Sequence, residues 1–126
     1  MPMVAAQSLP DDEPLTQYVF GGSSPQNWPR ARDTDGISLL RGHLTTREAA
    51  RYVRLGVRWP FDGDGVRLTT VGQLRAQGLL VTHTPSRRNP LHVSTSVGAE
   101  WDQGRAKAFD EAFGPIIDRE EETPHE

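Results

Sequence analysis

The stretch LLVTHTPSRRNPLHVSTSV (79–97) decides the fold of this chain. Residues 79–84 alternate between two sets of side chains, and residues 91–97 do the same, which is the two-residue period of a β-strand. The intervening segment, residues 85–90, begins and ends with proline and is predicted to turn. Two alternating runs joined by a short turn predict an antiparallel hairpin.

The segment before this hairpin predicts a strand and a short helix. Residues 66–68 form a candidate strand, and Thr70 with Gln73 forms a capping box for a helix that ends near Gly78. Residues 59–65 (WPFDGDG) contain two Asp-Gly pairs, which supply the positive φ angles of a tight turn. These elements lead directly into the hairpin.

Farther upstream, residues 37–41 predict a strand that Gly42 ends. A helix follows, because Thr45 and Glu48 have the spacing of a capping box and Gly56 is a plausible stop. At about 100° per residue, this helix separates an apolar face from a basic stripe. The apolar side consists of Ala49, Ala50, Tyr52 and Val53. The stripe consists of Arg47, Arg51, Arg54 and Arg58.

Downstream of the hairpin, residues 101–113 predict a helix with its aromatic residues on one face and a Gly-Pro pair as its stop. The order of elements predicts an α+β domain with a small, mostly antiparallel sheet and two to three packed helices. The domain is predicted to cover residues 15–117. A mobile arm, residues 1–14, is expected before it, and a disordered acidic tail, residues 118–126, after it.

Composition limits the classes of protein to which the chain can belong. Its 126 residues suffice for one domain, and 35% hydrophobic residues with a net charge of −3 do not match the disordered class. Cysteine is absent, which excludes disulfides and thiolate chemistry. No apolar run reaches the roughly 20 residues of a membrane span, and no basic, apolar leader opens the sequence. We therefore expect a cytoplasmic protein without membrane contact.

Charge is unevenly distributed along the chain. The net charge is −3 over residues 1–36, +6 over residues 37–99 and −6 over residues 100–126. This pattern either provides a basic surface for an anionic partner or lets the acidic end pack beside the basic middle. Nucleic acid is a poor partner, because the acidic end would repel the phosphates that the arginines attract.

Arg41 at a strand end and the run Ser94-Thr95-Ser96 on a later strand resemble elements of ADP-ribosyltransferases. The resemblance implies that the arginine anchors the phosphates of NAD and that the serine strand supports the nicotinamide pocket. That family also uses a catalytic glutamate on a further strand. Here Glu120, Glu121 and Glu122 lie in a segment without strand character.

Three histidines have neighbours that suggest chemistry. His43 and His92 each precede a hydroxyl residue by two positions, which resembles the paired motifs of two-histidine phosphoesterases. His43 directly precedes a capped helix instead of lying on a strand, which departs from that pattern. As metal ligands, His43, His83 and His92 lack the short spacing of a zinc motif. We therefore predict no metal and expect structural or interface roles for them.

A longer match covers roughly residues 11–95. It consists of Asp12-Glu13-Pro14-Leu15, Ile37 to Gly42 running into Leu44 to Ala50, Thr70 to Gln73 and Asn89 to His92. In order and spacing these blocks resemble a group of short bacterial proteins of unassigned function. The chain departs from their pattern at Gln73, where they have an acid, and at Leu91, where they have alanine. The resemblance implies a shared fold and a bacterial, intracellular setting without naming an activity.

These observations predict a protein-interaction domain without a cofactor, such as an antitoxin, immunity or accessory component of a toxin or defence system. Its partner is expected to be a protein with an acidic surface. The predicted contact residues are Arg47, Arg51, Arg54, Arg58, Arg87, Arg88 and Trp28. The alternative is a compact ADP-ribosyltransferase-like enzyme, or another enzyme acting on NAD or a phosphoester, with NAD as its cofactor. Its site would be formed by Arg41, His92, Ser94 and Ser96.

Overall fold

The computed structural model describes residues 9–21, 36–53, 63–98 and 100–119. In chain order the elements are β1 (Pro14–Val19), β2 (Ile37–Arg41), α1 (Thr46–Val53), β3 (Gly65–Thr70), α2 (Val71–Ala76), β4 (Leu80–His83), β5 (His92–Ser96) and α3 (Gln103–Glu111). The strands form one sheet in the order β3-β1-β2-β5-β4, and every neighbouring pair is antiparallel. The predicted α+β class is confirmed.

The predicted hairpin is present as β4 and β5. Thr82 lies opposite Ser94 and Val81 opposite Thr95, so the two alternating runs face each other in register. Both strands are shorter than the runs that predicted them. Leu79 lies outside β4, because its N–H donates to the carbonyl of Leu74 in α2, at 3.1 Å.

Strand β1, which lies between β3 and β2 in the sheet, has no counterpart among the predicted elements. It pairs with β3 along its whole length and with β2 at Leu15 and Thr16. All of its residues except Pro14 are buried, so it lacks the alternation of polar and apolar positions that marks a half-exposed strand. Its buried Thr16 hydroxyl donates to the carbonyl of Gly42 at 2.7 Å and accepts from the N–H of Leu44 at 2.9 Å.

The described parts of both segments that were predicted to be flexible are packed against the domain. In the arm assigned to residues 1–14, Leu9 is only 5% exposed, and the carbonyl of Asp11 accepts from Gly72 at 2.7 Å. In the tail assigned to residues 118–126, Arg119 exchanges two hydrogen bonds of 2.8 Å with Thr46. The packed part of the domain therefore extends beyond both predicted boundaries, while residues 1–8 and 120–126 lie outside the described residues.

The first two helices begin at the caps that the sequence indicates. Thr45 and Glu48 form the reciprocal capping box, with N–H to side-chain distances of 2.9 and 3.0 Å. The N–H of Gln73 donates to the Thr70 hydroxyl at 3.2 Å. Gly78 follows the end of α2 with a φ of +83°, a conformation that glycine adopts without strain. The predicted stop of α1 at Gly56 lies outside the described residues.

The last helix, α3, is shorter at both ends than the predicted span of residues 101–113. Asp102 caps it by accepting from the N–H of Arg105 at 2.8 Å. The aromatic face is present as predicted, since Trp101 and Phe109 are both buried and their rings meet edge to face at 5.7 Å. Each fully buried large apolar side chain of this kind stabilises the fold by about 1.5–3 kcal/mol.

Apolar clusters lie on both faces of the sheet. One joins Leu15, Leu39 and Val93 with α2 and α3. The other joins Tyr18, Leu40 and Val66 with α1, whose fully buried alanines allow the helix to approach the sheet closely. Strands β1 and β3 contact α1, whereas β4 contacts α2.

The two edges of the sheet differ. The outer edge of β3 is covered by the segment that follows α3, because Val66 and Ile117 exchange hydrogen bonds of 2.7 and 2.8 Å and Gly114 donates to Leu68 at 2.9 Å. At the other edge, β5 is the one strand in the described part of the chain that pairs with β4. No helix in the described ranges is long and apolar enough to cross a membrane.

Candidate functional site

Arginines on the β1 and β3 side of the molecule are paired with acids. Arg67 is buried, and its guanidinium bonds to Asp110 and, at 2.6 Å, to the side-chain oxygen of Gln17. The guanidinium also lies over the ring of Phe113 at 4.3 Å from the centroid. Burial lowers the pKa of Arg67, and the contact with Asp110 acts in the opposite direction. This residue joins the sheet to α3 and is not available to a ligand.

Other arginines are paired at the surface. Arg41 donates to Glu13 at 2.9 Å, and this hydrogen bond raises the pKa of Arg41. Arg75 donates to Asp11 at 2.6 Å. The acids of the N-terminal segment thus neutralise two arginines that the sequence places in its basic middle.

Three predicted contact arginines have no acidic partner among the described residues. Arg51 on α1 and Arg87 and Arg88 in the turn between β4 and β5 are exposed. None of the three forms an ion pair with an acid in the part of the chain that the structure describes. Each presents a planar guanidinium with five N–H donors, which suits contact with a carboxylate.

The turn and α1 adjoin one another. Leu91, at the end of the turn, packs against the cluster that holds the alanines of α1. Asn89 in the turn and Val53 in α1 both line a cavity of about 300 Å³. The turn and α1 therefore adjoin the same cavity, and we call the exposed arginines of these two segments the arginine surface (Arg51, Arg87 and Arg88).

The cavity lies where β1 and β2 separate. Their pairing includes Leu15 with Arg41 and Thr16 with Leu40 and extends no farther. Beyond that point Tyr18 and Ser38 line the gap, together with Phe20, whose ring meets that of Tyr18 edge to face at 5.2 Å. No charged side chain is found among the described lining residues.

A polar cluster lies beside the cavity on the exposed face of β2 and β5. The Nδ1 of His92 lies 2.7 Å from the Thr84 hydroxyl and 3.2 Å from the Thr84 carbonyl, and its Nε2 lies 2.7 Å from the Ser38 hydroxyl. Because both hydroxyls can donate or accept, the imidazole links Ser38 to Thr84 in either tautomer. The sequence indicated His92 but not Ser38 or Thr84. Their positions at alternate residues of facing strands were the available signal.

The residues of the enzyme alternative do not meet at one cleft. Ser94 lies opposite Ser38 in β2, and Arg41 is three residues farther along that strand. Since side chains of a strand alternate between faces, Arg41 and Ser94 lie on opposite faces of the sheet. Ser96 shares the face of Ser94 and His92.

The three histidines occupy separate environments. His43 lies in the loop after β2, where its Nε2 is 3.0 Å from the carbonyl of Thr69. His83 reaches the carbonyl of Pro90 at 3.3 Å, and His92 contacts Ser38. Across the described ranges, no group of three or more His, Cys, Asp or Glu side chains could hold a metal ion.

The remaining predicted contact residues divide into two groups. Arg47 is half-buried and already has an interaction, so it does not belong to the arginine surface. Arg54, Arg58 and Trp28 lie outside the described residues. The predicted four-residue stripe therefore retains Arg51 as its exposed member within the described part of α1.

Comparison with known proteins adds no relative. No family model, no curated protein and no solved structure matches this chain.

Proposed function

We propose that this chain is a small cytoplasmic bacterial domain that binds an acidic surface of another protein, as an antitoxin, immunity or accessory component of a toxin or defence system does. The observation that carries the proposal is the uneven pairing of arginines. Arg41, Arg67 and Arg75 have acidic partners, whereas Arg51, Arg87 and Arg88 are exposed and have no acidic partner among the described residues.

A cluster of exposed arginines has a defined physical effect on association. Charges at the rim of an interface increase the rate of encounter and select partners with complementary charge. Guanidinium groups also bind carboxylates through two parallel hydrogen bonds, which gives the contact an orientation. The adjoining cavity, lined by Tyr18 and Phe20, offers an apolar receptor for a side chain at the centre of such a contact.

Nucleic acid and NAD are weaker candidates as partners. The acidic residues of the C-terminal part of the chain oppose a polyanion. An NAD site of the kind that the sequence suggested requires Arg41 and Ser94 on the same face, and they lie on opposite ones. We therefore propose neither.

Co-purification with the protein encoded by the neighbouring gene tests this function. The wild-type chain is expected to co-elute with it, and Arg51→Glu combined with Arg87→Glu is expected to weaken binding at least tenfold and to flatten its salt dependence. Folding should change by less than about 0.5 kcal/mol, because both residues are exposed.

Arg105→Glu is the matched control, since Arg105 is an exposed arginine on α3, across the sheet from α1. It should bind like the wild type. If the double variant binds as tightly as the wild type, the arginine surface is not the interface. If the wild type fails to co-elute at low salt, the proposed partner is wrong.

A further inference from the structure

The outer edge of β4 presents backbone groups that have no partner among the described residues. The N–H of Thr84 donates to the carbonyl of His92 in β5 at 3.0 Å, and Thr82 lies opposite Ser94. Even-numbered residues of β4 therefore direct their backbone groups toward β5, and the backbone groups of Val81 and His83 point out of the sheet. Nothing in the described ranges pairs with them.

This edge lacks the proline and the charged side chains by which proteins often prevent strand pairing. The sequence Leu80-Val81-Thr82-His83 contains no proline and no charged side chain, and Leu80 is 55% exposed. The edge of β3, in contrast, is covered by the chain's own segment around Ile117. The molecule thus closes one edge and leaves the other able to accept a strand.

The two ends of the outer edge of β4 carry charges of opposite sign. Arg87 and Arg88 follow the C-terminal end of β4. The segment after β5 reaches the N-terminal end, since a Cβ at Gly98 would lie 3.5 Å from Leu80. That segment continues to the exposed Glu100 and Asp102, and Glu100 has no ion-pair partner in the described part of the chain.

We propose that β4 pairs antiparallel with β4 of a second copy of this chain, around a two-fold axis at Thr82. In this register Val81 of each copy exchanges hydrogen bonds with His83 of the other, and the two Thr82 side chains are direct neighbours. The basic turn of each copy approaches the Glu100 end of the other. A parallel pair would instead bring like charges together, so the charge pattern selects the antiparallel arrangement.

The contact is small, because β4 has four residues. Interfaces of this size fall below the roughly 1,200 Å² of stable complexes, so the dimer is expected to be weak and to dissociate on dilution. Its affinity should also fall as salt rises, because part of the attraction is between exposed charges.

A single cysteine at the two-fold axis tests the register directly, since the chain has no cysteine of its own. In Thr82→Cys the two Cα atoms would be about 4.5 Å apart, within the span of a disulfide. Mild oxidation of the purified full-length protein should convert most of it to a covalent dimer, seen on non-reducing gels. Leu80→Cys is the matched control on the same strand and face. Its two copies would be offset by roughly 13 Å along the strand and should not cross-link.

Mass measurement by light scattering provides a second test. The wild type should approach twice 14.0 kDa as its concentration rises. Val81→Pro should remain monomeric, because it removes an outward N–H that no residue of the same chain uses. Arg88→Glu and Glu100→Arg should each weaken the dimer severalfold, and their combination should restore it. This charge exchange keeps the test valid if the proline variant does not fold.

The inference does not rest on the proposed function, because both measurements use this protein alone. A wild type that stays monomeric at its highest concentration would overturn it. Equal cross-linking of the Thr82→Cys and Leu80→Cys variants would do the same. Partner binding that fails in Arg51→Glu while Thr82→Cys still cross-links would separate the two proposals, since Arg51 lies on α1 and not on β4.

Discussion

The same residue types lie in different environments in the two halves of the sheet. One half holds β1 and β3, and the other holds β4 and β5. In the first half, Arg67 is buried against Asp110 and the strand edge is covered by residues near Ile117. In the second, Arg87 and Arg88 are exposed, and the outer edge of β4 has no neighbouring strand among the described residues. In the first half the charges and the strand edge are satisfied within the chain, whereas the second half leaves exposed the charges and backbone groups on which both proposals rest.

The strongest test of this contrast is removal of a paired arginine. Arg67→Ala should lower the free energy of unfolding by about 3 kcal/mol, because it empties a buried site over Phe113 and leaves the side chain of Gln17 without its donor. Urea unfolding followed by circular dichroism measures this. Arg105→Ala, on the exposed face of α3, should change stability by less than about 0.5 kcal/mol. Equal losses for the two variants would contradict the division.

A smaller effect is expected from removing the end of the closing segment. A chain ending at residue 117 should be less stable than one ending at residue 119 by about 1–2 kcal/mol, because Arg119 exchanges two hydrogen bonds with Thr46 at the start of α1. Melting temperatures of the two truncated proteins give the comparison. Identical melting curves would show that the contact with Thr46 contributes nothing.

Converting a paired arginine into an unpaired one should have a still smaller effect. Glu13→Gln removes the acid that Arg41 contacts at 2.9 Å. Because this pair is partly exposed, stability should fall by less than about 1 kcal/mol, and by less again at high salt. Unfolding in low and high salt measures both values. A loss that does not respond to salt would mean that Glu13 acts through packing and not through its charge.

The smallest effect on stability is expected at the arginine surface itself. Arg87→Glu with Arg88→Glu should leave the free energy of unfolding within about 0.5 kcal/mol of the wild type, since neither residue contacts an acid in the described structure. A larger loss would show that the turn is part of the stabilising half, and the contrast between the halves would not hold at this point.

The sequence predicted the elements whose signals are local. The hairpin follows from alternation, and the starts of α1 and α2 follow from Thr45 with Glu48 and Thr70 with Gln73. These patterns depend on neighbours in sequence, so they survive in any tertiary context.

Neither strand β1 nor the pairing of charges was predictable in this way. Strand β1 is buried on both faces and therefore shows no alternation. Its Thr16 and Gln17 are polar, and their burial depends on partners such as Gly42 and Arg67, which lie far along the chain. The exposure of Arg51 and the pairing of Arg41 with Glu13 likewise depend on contacts between distant segments. The sequence gives Arg41 and Arg51 the same charge and does not show which of them has an acidic partner.

The position of β1 inside the sheet also determines the order in which the molecule can fold during synthesis. Its partner along its whole length is β3, where Pro14 lies opposite Thr70, and the apolar cluster below it includes Phe109. In a growing chain, β1 can pair with β2 only at Leu15 and Thr16, and its other edge stays unpaired until residues 65–70 have been made. Ile117 closes the outer edge of β3 later still. The rate of folding is therefore set by contacts between distant parts of the chain.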